Sequence, residues 1–142
     1  MRLIRYFFEY IAIIILFGLF KLLGYRIASE LGYFIGKTFG PFFRSKKIIA
    51  DNLNKFDTSL SSEKINKISQ EMWGNYGRIL SEYPYISNFR KGDLDKYIKI
   101  ENIEKLEEFK KGPPVVFVSA HFSNFELMAM AIEKEGVNLS AI

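Results

Sequence analysis

An apolar run from Tyr6 to Gly24, YFFEYIAIIILFGLFKLLG, dominates the start of the chain, and its only charges, Glu9 and Lys21, sit close to its ends. Wound as a helix it reaches about 28 Å at 1.5 Å per residue, against the roughly 30 Å hydrocarbon core of a bilayer. The pattern predicts a membrane anchor helix over residues 1–24. A signal-like segment or a buried soluble helix would carry a similar pattern, but no small-residue cleavage site follows the run. From Arg26 to Phe43, Ile27, Leu31, Phe34, Ile35, Phe39 and Phe42 recur at helical spacing, and Ala28, Gly32, Gly36 and Gly40 form a second stripe four residues apart. Small residues so placed let a neighbouring helix or aromatic surface come close to the backbone, and ordinary helix packing is the favoured reading. Pro41 predicts a break near Gly40.

Residues 45–56 read as a short basic amphipathic helix, and the polar tract 57–62 as a turn in which Ser61 or Ser62 caps a helix beginning near Glu63. Ile65, Ile68, Met72, Tyr76, Ile79, Leu80 and Tyr83 carry that helix to a stop at Pro84, with Asn75, Arg78 and Glu82 as its later polar members. Beyond a loop around Gly92 the pattern changes. Tyr97 to Ile100 alternates like a strand, Ile103 to Lys110 reads as a charged helix, and Val115 to Ser119 is a β-branched run of the kind buried in a parallel sheet. A helix from about Asn124 to Lys134, a stop at Gly136 and a last strand from Val137 complete a βαβαβ order. The expected fold class is therefore α/β: an anchor helix over 1–24, a helical region over 25–92, and the first part of an α/β domain over 93–142. Because the chain ends inside an apparent strand, the pattern also predicts a domain continued beyond Ile142.

Composition narrows the classes. With no cysteine and one histidine, a disulfide framework, a cysteine-ligated metal, a thiol nucleophile and a histidine-rich metal site are excluded. The net charge of +4 suits an anionic partner. Arg2 and Arg5 precede the apolar run, and Lys21, Arg26, Lys37, Arg44, Lys46 and Lys47 border or follow it, which is the arrangement of a membrane-surface protein. No basic stripe with a nucleic-acid-binding motif is present, so nucleic acid is not an expected partner.

The lone histidine, His121, ends the run Val115-Val116-Phe117-Val118-Ser119-Ala120 and is followed five residues later by Glu126. An imidazole exchanges a proton near neutral pH, and a nearby carboxylate fixes its tautomer and stabilises its charged form. In open α/β sheets such a strand-to-helix turn is also where ligands bind. His121 and Glu126 are thus the candidate catalytic pair, and Ser123 and Asn124, at the helix start, are candidate substrate-binding groups. A structural alternative explains the same residues: Ser123-x-x-Glu126 fits a capping box.

The string PPVVFVSAHFSNFELMAM resembles the first signature block of the lipid A biosynthesis acyltransferases, the lauroyl and myristoyl transferase family within the wider His-x4-Asp/Glu acyltransferases. The basic apolar N-terminus, the Gly-spaced helix, Asn52-Leu53 and Asn75-Tyr76-Gly77-Arg78 agree with it. The family's usual string has Gly two places after the histidine and Trp just before the acid, where this chain has Ser123 and Phe125. The resemblance implies an O-acyltransferase at the cytoplasmic face of the bacterial inner membrane, in which His121 takes the proton of a lipid A precursor hydroxyl, Glu126 orients His121, and acyl carrier protein supplies the acyl thioester. It implies no metal or diffusible cofactor, and places arginines for the acceptor's phosphates beyond Ile142. A lysophospholipid or a phosphatidylinositol mannoside as acceptor, and a small non-catalytic membrane protein, are the alternatives.

Overall fold

The computed structural model describes residues 2–110, 112–120 and 123–140. The chain divides into two compact units, residues 1–84 and 85–142.

In the first unit the helix α1 (Arg2–Leu23) is apolar over nearly its whole length, with a mean hydropathy of 2.0 in its most apolar window and only 6% of that window buried. Gly24, at φ 79°, turns the chain directly into α2 (Tyr25–Phe39). At the end of α2 the predicted break occurs: a 3-10 turn, Gly40–Phe42, forms with Pro41 in its first positions. The helix α3 (Lys46–Phe56) follows, and then α4 (Ser62–Glu82), capped at its N-terminus by Ser61, whose Oγ accepts the Lys64 N–H at 3.2 Å. The end of α1 is tied to the residues after α4 by Lys21 Nζ, which donates to the Pro84 carbonyl at 2.8 Å.

The core of this unit is the seam between α2 and α4. Gly32 faces Gly77 and Ser81, Gly36 faces Trp73 and Gly77, and Gly40 faces the Trp73 ring, so one sequence rises as the other falls and the helices run antiparallel. A methyl group at Gly77 would collide with the Gly32 carbonyl and stand 2.9 Å from the Gly36 Cα, so the backbones meet with no side chain between them. This is how small residues four apart pack helices. The favoured reading of the Ala28-Gly32-Gly36-Gly40 stripe as a packing surface holds, with Trp73, Gly77 and Ser81 as its counterpart on α4, while Gly74 makes room for the Tyr33 ring.

The second unit holds the short helices α5 (Ile86–Lys91), α6 (Leu106–Lys110) and α7 (Glu126–Lys134), with 3-10 turns at Asp95–Tyr97 and Ile103–Lys105. Gly92, at φ 91°, ends α5 in the left-handed conformation that closes many helices. Among the described residues no strand is formed. Tyr97 closes a 3-10 turn instead of opening a strand. Val115 to Ser119 and Val137 to Ser140 have no regular structure, and Val116 and Val118 are exposed. A strand is defined by the partner whose backbone it bonds, and neither run meets one among the described residues. The chain is therefore helical as far as the structure describes it.

Candidate active site

The described segments before and after the candidate residues are each held within the second unit. On the approach, the Phe117 ring meets Phe109 of α6 edge to face, with centroids 6.1 Å apart. Such a pair contributes about 0.5–1.5 kcal/mol beyond the area it buries. On the exit, the far end of α7 is fixed by Lys134, whose Nζ donates to both Asp95 carboxylate oxygens at 3.0 and 3.1 Å, and by the ion pair of Arg90 with Glu133. Ile132 of α7 is buried.

His121 and Phe122 lie outside the described residues. The remaining candidates, Ser123, Asn124 and Glu126, are brought together in one turn. The Phe125 N–H donates to the Ser123 carbonyl at 3.0 Å, and the Leu127 N–H donates to the Asn124 carbonyl at 3.0 Å, so the chain winds directly into α7. Ser123 is exposed, while Asn124 and Glu126 are half-buried.

The capping box is not formed. Phe125, whose side chain makes no capping hydrogen bond, stands at the N-cap of α7 in place of Ser123. The reason lies in the backbone. A capping serine sits in the extended region, whereas Ser123 is at φ 47°, in the left-handed region. That conformation costs a residue with a Cβ about 1–2 kcal/mol, a cost that the glycine of the family's usual string would not bear. Glu126 is thus left in the first turn of α7, where the exposed N–H groups favour a carboxylate for electrostatic reasons. Chemically the turn sets a carboxylate, an amide and a hydroxyl within four consecutive residues at a helix start, a set able to orient a neighbouring base and to accept or donate hydrogen bonds to a polar substrate.

Two polar features of the first unit escaped the sequence pattern. Glu82, buried at the seam, accepts from Ser29 Oγ at 2.6 Å and from the Tyr25 hydroxyl at 3.3 Å. Nearer the other end of the seam, Glu71 accepts from the Tyr33 hydroxyl at 2.6 Å and from Lys37 Nζ at 2.9 Å. The Tyr33 bond first, and Lys37 second, hold the Glu71 carboxyl below its ordinary value of 4.5. The Glu71 bond, then that of Tyr33, raises Lys37 above 10.5. Arg78 lies 4.4 Å over the Tyr33 ring and donates to Glu30 at 2.9 Å. These groups pair with one another across two helices, so Arg78 and Glu82 serve the packing, while Asn75 is exposed. A periodicity reading gives each residue a face but not a partner, which is why the pairs were not foreseen.

A largely apolar cleft of about 360 Å³ lies between α3 and α4, lined by Ile48, Ile49, Leu53, Met72, Trp73 and Tyr76, with Arg44 and Asn52 as its polar members. Among the described residues there is no group of three or more His, Asp or Glu side chains placed to hold a metal ion.

A family model described as bacterial lipid A biosynthesis acyltransferase matches residues 1–142. No curated protein and no solved structure matches the chain.

Proposed function

The chain belongs to the bacterial lipid A biosynthesis acyltransferase family, and we propose that its reaction moves a fatty acyl group from acyl carrier protein to a hydroxyl of a lipid A precursor. The single observation that carries the reading is the match of the family over the whole chain, within which the His121-x4-Glu126 turn is the one stretch with the residue types for acyl transfer. The placement of Glu126 in the first turn of α7, five residues after His121 in the sequence, supports the pairing.

The steps balance without a cofactor. The acceptor oxygen attacks the thioester carbonyl as its proton passes to the His121 imidazole, and the carbonyl becomes an oxyanion. Glu126 orients His121 and stabilises the imidazolium. Collapse of the tetrahedral intermediate breaks the carbon–sulfur bond, and the imidazolium returns its proton to the departing thiolate. The products are an ester and the carrier protein's free thiol. Ser123 and Asn124 are the groups proposed to meet the substrate beside this pair. The α1 helix is proposed as the anchor to the inner membrane, with the reacting turn on the cytoplasmic side, where acyl carrier protein is found.

The test is a matrix of donors and acceptors given to the native gene product in mixed micelles: acyl carrier protein or coenzyme A as acyl donor, and a lipid A precursor, a lysophospholipid or a phosphatidylinositol mannoside as acceptor. Transfer from the carrier protein to the glycolipid is the expected result. Acylation confined to another acceptor would overturn the substrate assignment, and no transfer to any acceptor would favour a non-catalytic membrane protein.

A further inference from the structure

The helix α2 is built inside out. Its small residues Ala28, Gly32, Gly36 and Gly40 face α4, while its large apolar side chains point away from the seam: Phe34 is 64% exposed, Ile27 60% and Phe39 54%. The following corner adds Phe42 and Phe43, 84% and 83% exposed, with the Phe43 ring centroid 6.4 Å from that of Trp73. In a helix that packs in water the large residues would be inside. Exposed aromatic and aliphatic side chains in this number mark an interaction surface.

Charge identifies the occupant. Directly after the two phenylalanines come Arg44, Lys46 and Lys47, all exposed, and none of them takes part in an ion pair or side-chain hydrogen bond among the described residues. Exposed aromatic rings on a helix whose other face is closed by protein, followed at the next corner by unpaired cations, are the pattern of an element lying in the headgroup layer of an anionic bilayer, rings at the acyl boundary and cations on phosphates. The preceding helix, α1, is itself long and apolar enough to cross a bilayer and joins α2 with only Gly24 between them. A membrane therefore lies within reach of α2 without any other partner being invoked.

We propose that the outward face of α2 and the corner 42–47 form a second membrane contact, in which Phe34, Phe39, Phe42 and Phe43 enter the interface of an anionic bilayer and Arg44, Lys46 and Lys47 bind its phosphate groups. The proposal rests on the membrane attachment through α1 given above and is independent of the acyl transfer chemistry. Its effect is to fix the first unit flat against the membrane, where a spanning helix alone would leave it free to swing. Each basic residue near an anionic surface contributes roughly fivefold in partitioning.

The absence of cysteine makes the experiment direct. The full chain carrying Phe42→Cys is labelled with a fluorophore and reconstituted into phosphatidylcholine vesicles with or without one part in three of phosphatidylglycerol, and its quenching by brominated acyl chains and by aqueous iodide is read. Expected in the anionic vesicles is at least twofold quenching by the brominated lipid and little by iodide. The brominated-lipid quenching should fall in neutral vesicles and in the variant that also carries Arg44→Glu, Lys46→Glu and Lys47→Glu, although α1 still holds that variant in the carbonate-resistant membrane fraction. Iodide quenching in every vesicle would overturn the proposal by placing the corner in water. Quenching by neither agent would overturn it by showing the corner covered by protein, whether another segment or a second copy. Lipid quenching indifferent to the charge reversals would overturn the phosphate contact. Repeating the measurement with His121→Ala separates the two readings, because loss of catalysis leaves this quenching unchanged.

Discussion

Gly77 shows how much of the fold depends on the absence of one side chain. Its missing Cβ is what allows the Gly32 carbonyl and the Gly36 Cα to approach, so Gly77→Ala must push α2 and α4 apart. Overpacking of this kind costs about 1–3 kcal/mol, and the substitution is expected to lower the thermal midpoint by several degrees. Gly18 on α1 has no atom within 4 Å of the same hypothetical methyl, and Gly18→Ala is expected to leave the midpoint unchanged or slightly raised. Thermal unfolding of the two variants in one detergent tests the seam, and equal midpoints would contradict it. Ser123 shows the complementary case. The sequence marks it as a capping serine, but its left-handed backbone puts it outside that role, and the signal in the sequence was its departure from the glycine of the signature string it resembles.

The helical elements of the first unit were legible because each carries both a period and a punctuation mark: Gly24 and Pro41 around α2, Ser61 ahead of α4, Pro84 after it. The pairing of α2 with α4 was half legible, since the small-residue stripe named a packing face without naming what meets it. The six residues of α5 were missed, being too short to show a period. Between the elements, the Tyr33-Lys37-Glu71 cluster joins α2 to α4 and makes a pH prediction. The folded carboxyl of Glu71 lies below its ordinary 4.5, so its contribution to stability is complete above that value and is lost as pH falls through the lower folded value. Lys37, raised above 10.5, contributes fully below that pH and loses its share as pH rises through the higher folded value. Between these limits the cluster is intact. Midpoints taken from pH 7 downward should fall more steeply for the native chain than for Glu71→Gln below pH 4.5. Parallel curves would show that the cluster does not link the helices. Both groups are well exposed to solvent, so the effect is small.

At the scale of the molecule, the sequence reading divides at the second unit. The apolar anchor and the helices after it follow from local pattern, which the chain carries within each segment. The α/β layer depends on strands finding one another across distant segments, and among the described residues Val115 to Ser119 and Val137 to Ser140 pair with nothing. β-branched runs state a preference for a sheet without supplying its hydrogen-bonding partner. The family membership, legible in the signature string and the context around it, extends over the whole chain. Within it, Glu126 and its described neighbours stand at the start of α7, a helix whose far end is pinned through Lys134.

The central claim is that His121 is the base of an acyl transfer, and it is tested most directly by the initial rate at which the native gene product and its His121→Ala variant move a labelled acyl group from acyl carrier protein to a lipid A precursor. General-base assistance is worth about 10² to 10⁴ in rate, so the variant should retain between about a hundredth and a ten-thousandth of native turnover while remaining folded, with an unchanged thermal midpoint. Equal turnover in the two proteins would contradict the account.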